Sequence, residues 1–124
     1  MMRFLVETDI LVKTRTNKRS YSLREEVVIS VTVANKGLIP VELIFPSAQR
    51  YDFMILKSGK EVWRWSDGRV FAMVLGTLFL KSGEEQTYKE MWMPKDVMLG
   101  EYEVIGIITS RPSLEARCTF RMNG

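Results

Sequence analysis

The sequence predicts an all-β fold: one immunoglobulin-like antiparallel β-sandwich of about seven to nine strands, without a disulfide. Three observations carry that expectation. β-Branched residues dominate, with 12 Val, 8 Ile and 8 Thr against 4 Ala, a balance that disfavours helices. Apolar residues alternate with others in segment after segment, the period of a half-buried strand. Gly, Asn, Pro and Ser punctuate those segments every eight to twelve residues or so. A chain of 124 residues has room for one core, so residues 1–124 are read as a single domain.

The elements follow in order. Lys13, Arg15, Lys18, Arg19 and Arg24 lie together with no acid between them. The net charge of +3 comes from this one segment, which reads as a solvated strand end and turn. It carries Tyr21 as its one aromatic residue, so no nucleic-acid partner is expected. Val27, Ile29, Val31 and Val33 fall on one face of a strand. Asn35-Lys36-Gly37 gives a turn, through the tolerance of Asn and Gly for positive φ. Val41, Leu43 and Phe45 form the next strand, ending at Pro46-Ser47. Tyr51, Phe53 and Ile55 alternate again and close at a hairpin-like Lys57-Ser58-Gly59-Lys60. Val62–Trp65 returns as a strand. Phe71–Leu80 is apolar on both faces; its second half is read as strand, because the turn Lys81–Glu84 follows. Gln86–Met91 is a further strand and Trp92–Asp96 a loop. Tyr102–Ile108 is a buried strand. After the turn Ser110–Ser113, Ala116, Cys118, Phe120 and Met122 share one face of the last strand. Gly100-Glu101-Tyr102-Glu103-Val104 has the form of a tyrosine corner, with Val104 where an immunoglobulin domain carries its second cysteine.

Composition excludes much chemistry. There is no histidine, which removes serine–histidine triads, cysteine–histidine pairs and histidine metal sites. Cys118 is alone, so no intrachain disulfide forms, and on an apolar strand face it reads as a small core residue. Asp52, between Tyr51 and Phe53, reads as a solvent-facing or hydrogen-bonded strand residue. No calcium loop and no phosphate-cradling glycine loop is present. No enzyme activity, catalytic residue, cofactor or metal is therefore expected. The N-terminal apolar run is too short for a signal peptide, and Phe71–Leu80 is half a membrane span. With a single cysteine, this points to the cytoplasm and away from membranes.

Two features stand out. In Val62-Trp63-Arg64-Trp65-Ser66-Asp67-Gly68-Arg69, Trp63 and Trp65 point one way and Arg64 the other. Met91, Met93 and Met98 surround Trp92 in a Pro-containing loop. Together with Ser47–Phe53, Phe71, Ser82-Gly83-Glu84 and Gly100-x-Tyr102, the tryptophan strand resembles the bacterial intracellular proteinase inhibitor family, the BsuPI domain, over about Val27–Ile108. The resemblance implies an immunoglobulin-like sandwich that inhibits intracellular subtilisin-type serine proteases. One departure is Met73, where the family often has Gln.

Inhibition of the substrate-like kind needs a rigid convex loop, ordered before binding. The candidate contacts are Met91, Trp92, Met93, Met98 and Leu99 in the Met91–Leu99 loop, ranked first, and Trp63, Arg64, Trp65 and Arg69. The alternative is a non-inhibitory immunoglobulin-like adaptor that presents the same surfaces to another protein. With packing alone holding the fold, far-UV circular dichroism is expected to be of β type. The melting curve should not move on adding reductant; a helical spectrum would overturn the fold.

Overall fold

The computed structural model describes residues 9–124. The N-terminal run read as too short for a signal peptide lies outside the described residues, apart from Asp9. The described residues form ten strands: β1 (Ile10–Thr16), β2 (Ser20–Ser22), β3 (Val27–Asn35), β4 (Val41–Phe45), β5 (Tyr51–Lys57), β6 (Lys60–Arg64), β7 (Gly76–Leu80), β8 (Glu85–Trp92), β9 (Gly100–Ile108) and β10 (Leu114–Asn123). No helix is found among the described residues, so none is long and apolar enough to cross a membrane. One layer has the order β1-β3-β8 and the other β2-β10-β9-β5-β6, with a separate β4-β7 ladder. All pairings are antiparallel except β2 with β10, where Ser20–Ser22 run parallel to Arg121–Asn123.

The core is the meeting of two alternating faces. Val27, Ile29, Val31 and Val33 of β3 are fully buried, as their spacing predicts. Phe53, Ile55, Tyr102, Val104, Phe120 and Met122 join them in one cluster, with Phe45 and Leu80 from the β4-β7 ladder. Each such side chain contributes about 1.5–3 kcal/mol by leaving water. Tyr102 stacks on Phe120 at 5.4 Å, and Tyr21 meets Phe120 edge-on at 5.5 Å. The sheets approach closely at Gly106, where a Cβ would collide with the Thr14 hydroxyl and the Val31 side chain. Thr14 donates from Oγ1 to the Ala116 carbonyl at 2.9 Å, tying β1 to β10.

The turns follow the sequence with two corrections. Ser58 (φ 51) and Gly59 (φ 79) both take positive φ in the two-residue β5-β6 hairpin. Asn35 and Gly37 do not, so tolerance of positive φ is not what turns the chain there. The buried Asn35 amide does it instead. Its Nδ2 donates to the carbonyls of Ile39 (2.8 Å) and Leu80 (3.1 Å), and its Oδ1 accepts from Gly37 N (3.0 Å). The second correction is Trp92, which ends β8 opposite Val27 and does not begin the loop. The tyrosine corner is formed: the Tyr102 hydroxyl donates to the Met98 carbonyl at 2.5 Å. Cys118 packs against the core cluster but is only half-buried, and burial pushes its thiol up.

All four tyrosines, Tyr21, Tyr51, Tyr88 and Tyr102, are raised above the ordinary phenol value, in each case chiefly by burial. The folded state therefore holds these protons more tightly than the unfolded chain. Their contribution to stability is complete below pH ~10 and is lost as pH rises toward the folded values. A titration followed by phenolate absorbance should place tyrosine ionisation in the native protein above that of the unfolded chain, with Tyr51 the last to ionise. A free-tyrosine step in the native protein would contradict it.

Candidate functional site

The structure sorts the candidate contacts, Arg64 apart, into two groups toward opposite ends of the sandwich. In the β5-β9 pairing, Tyr51 lies opposite Ile108 and Leu56 opposite Glu103. Strand β5 thus runs about 20 Å from one end to the other.

At the Lys57 end, Trp63, Trp92, Met93 and Met98 line one open cleft with Val62, Val97 and Tyr102. The tryptophan strand and the methionine loop, far apart in sequence, meet here. Trp63 and Trp92 are 6.3 Å apart. Trp92 is buried and forms the floor, while Met91, Met93, Met98 and Leu99 are exposed. The loop is bent: Asp96 has φ 52, and Pro94 is buried between exposed neighbours. Lys57, Lys95 and Asp96 also line this cleft and leave it a net positive charge.

Arg64 stands apart on the outer face of β6. Its guanidinium pairs with Asp52 at 3.2 Å and Glu61 at 3.4 Å. Asp52 is buried and accepts four hydrogen bonds: Phe53 N (2.8 Å), Ser66 N (3.1 Å), the Ser66 hydroxyl (2.6 Å) and Arg64 Nη1. This carboxylate fastens the chain as it leaves β6. Trp65 N adds a bond to the Phe53 carbonyl at 3.0 Å.

At the Tyr51 end, Trp65 is buried in a column of planar groups. Tyr88 stacks on Tyr51 (4.7 Å), Tyr51 on Trp65 (4.6 Å), and the Arg69 guanidinium lies over the Trp65 ring (4.3 Å). Arg69 Nε also donates to the Trp65 carbonyl at 2.8 Å. The Tyr51 hydroxyl donates to Glu90, and burial together with that carboxylate pushes its ionisation far up. Trp65 Nε1 is the one buried side-chain donor among the described residues without an acceptor. Its orphaned N–H opposes stability, and the stack offsets it.

One surface escaped the sequence reading. Val70, Met73, Val74 and Leu75 are all exposed, between the Trp65 column and β7. Exposed apolar residues leave no periodic signature, and the run was ambiguous because both its faces are apolar.

The described sheets and the corner at Tyr102 define an immunoglobulin-like β-sandwich. Solved structures agree at the level of fold. The CARDB domain of a Pyrococcus furiosus protein, solved in complex with di-metal ions, matches with TM-score 0.55 and 17% identity over 93% of this chain and 88% of that one. A β-glucosidase from Erythrobacter marinus matches with TM-score 0.51 and 17% identity over 92% of this chain, which spans only 15% of the enzyme. The sporulation control protein Spo0M of Bacillus subtilis matches with TM-score 0.50 and 19% identity over 92% of this chain and 48% of that one. No curated protein sequence matches. The family model for BsuPI, intracellular proteinase inhibitor, matches residues 14–113, and the chain belongs to that family.

Removing the Asp52 carboxylate leaves Ser66 N, its hydroxyl and Arg64 without their shared acceptor. Asp52→Ala is expected to lower stability by about 2–4 kcal/mol. Denaturant unfolding measures it; a loss within ~0.5 kcal/mol, the range of an ordinary surface change, would show that the clamp is not needed.

Proposed function

We propose that the chain binds and slows a subtilisin-type serine protease in the cytoplasm, non-covalently, through one of its apolar ends. Membership of the intracellular proteinase inhibitor family over residues 14–113 carries the reading. The geometry supports it in two ways. Loops leave a framework fixed by packing and by buried polar clamps at Asn35 and Asp52, so their order is settled before any partner arrives. Both ends expose apolar side chains, Met93 and Met98 at one and Met73 and Leu75 at the other. Such side chains suit the large apolar specificity pockets of that protease class. The chain acts on this reading by occupying the protease, with no chemistry of its own.

One observation favours a second reading, a non-inhibitory adaptor. The cleft between Trp63 and Met93 is concave, and a concave apolar site receives a partner's side chain more readily than it enters another protein's cleft.

Titration of the purified protein against cytosolic subtilisins separates the two. Slowed turnover of both a small chromogenic peptide and a protein substrate means that the active-site cleft is occupied. Slowing of the protein substrate alone means contact beside it. No slowing at tens-of-micromolar protein across several such proteases would leave the adaptor.

A further inference from the structure

We infer that the span Ala72–Leu75, which closes the straight segment Arg69–Leu75, is the part of this chain that enters the protease cleft, lying in it as an extended, substrate-like strand. The inference rests on the inhibitor reading above and names its site, at the end of the sandwich opposite the methionine loop.

A protease cleft wraps an extended chain and contacts side chains on both of its sides, so the inserted segment must be free on both. Val70 is 96% exposed, Met73 84%, Val74 61% and Leu75 76%. Ala72–Leu75 are four consecutive exposed residues, with no alternate side chain turned into the body. Immediately afterwards the alternation resumes, with Leu78 and Leu80 inward. By contrast, Met91–Leu99 buries Trp92 and Pro94 between its exposed methionines and bends at Asp96 and Leu99. One side of that loop belongs to the core.

The chain runs from Arg69 to Leu75 with no turn or bend, and no residue in it has positive φ. That is the shape a substrate takes when it pairs with the edge of a cleft.

The segment is anchored at both ends. Before the segment, Asp52 holds Ser66, and Arg69 is fixed to Trp65 by its hydrogen bond and stacking. Within it, Phe71 turns inward against Trp65 at 5.8 Å, and the Ala72 carbonyl accepts from Ala48 N at 2.9 Å. After it, Gly76 pairs with Phe45 at the start of β7. The Arg50 guanidinium packs over the Phe45 ring and donates to the Ser47 carbonyl, in the space that a Cβ on Gly76 would occupy. Met73–Leu75 is thus a short free span between two fixed points. The buried Trp65 column does for this loop what a disulfide does in many small inhibitors.

The test uses the full chain and a subtilisin that it inhibits. Met73→Asp and Leu75→Asp should each weaken inhibition of the small-peptide reaction by about tenfold or more, because each puts a charge where an apolar group is desolvated. Their melting temperatures should stay near that of the parent, since both side chains are in solvent. Met93→Asp and Met98→Asp should stay within about twofold, as at sites making no contact. Hydrogen exchange with a protease whose catalytic serine is replaced should show protection at 70–75 and none at 93–99.

Unchanged inhibition by Met73→Asp and Leu75→Asp, or protection confined to 93–99, overturns the inference and leaves the inhibitor reading standing. A parent protein that slows no protease overturns both. If Met73→Asp instead dissolves a dimer seen by sedimentation and leaves inhibition intact, the segment joins two copies of the chain and the inference fails.

Discussion

The stripe Val27, Ile29, Val31 and Val33 is what joins the two sheets, and everything else in the molecule is placed relative to it. Strand β3 has partners on both edges, β1 and β8, so it cannot shift without breaking two ladders. A slip of one residue would turn the stripe to solvent and bring Val28, Ser30, Thr32 and Ala34 inward. With a single thiol in the chain, no covalent staple could hold such a slip in check. The register of β3 is kept by the free energy of burial alone. That burial is reinforced across the sandwich by the rings of Tyr21, Tyr102 and Phe120.

Two buried polar side chains then convert a sandwich into a molecule with defined loops. Asn35 ties the end of β3 to the 37–39 loop and to the end of β7. Asp52 ties the start of β5 to the chain leaving β6. Neither contributes much apolar burial. Each removes freedom from a segment whose backbone has no ladder to join. The consequence is felt most between Asp67 and Leu75, which lacks strand partners yet is fastened at both ends.

The parts of this arrangement that were legible in the sequence are those with a period. The β3 stripe, the β5 alternation, the Ser58-Gly59 hairpin and the corner at Tyr102 each leave a local pattern, and each stands where the pattern puts it. The three-residue β2 has no period to read, and its parallel pairing with β10 is set by residues some hundred positions away. The Asn35 turn was read from propensity, while its cause is a set of tertiary hydrogen bonds that no local pattern encodes. Of the candidate contacts, the meeting of Trp63 with the methionine loop depends on β6 and β8 lying across the core from one another. Spacing could not place it. Val70–Leu75 was invisible for a simpler reason. An apolar residue in sequence argues for burial, and here four of them are in water.

The links between β1–β2 and β10 carry a kinetic consequence. Thr14 bonds to Ala116 across 102 positions of chain, and Ser20–Ser22 wait for Arg121–Asn123 before they have any ladder at all. Closing so long a loop is entropically costly, and the reward comes only when β10 has already settled on β9. The hairpins β5-β6 and β9-β10 can assemble early; the clasp between the first and last strands comes late. Folding of such non-local sheets takes ~milliseconds to seconds, against microseconds for helical bundles. During that interval the Arg121–Asn123 end of β10 has unpaired backbone groups, and a newly made chain is most vulnerable to edge-to-edge aggregation then, before the clasp has shut.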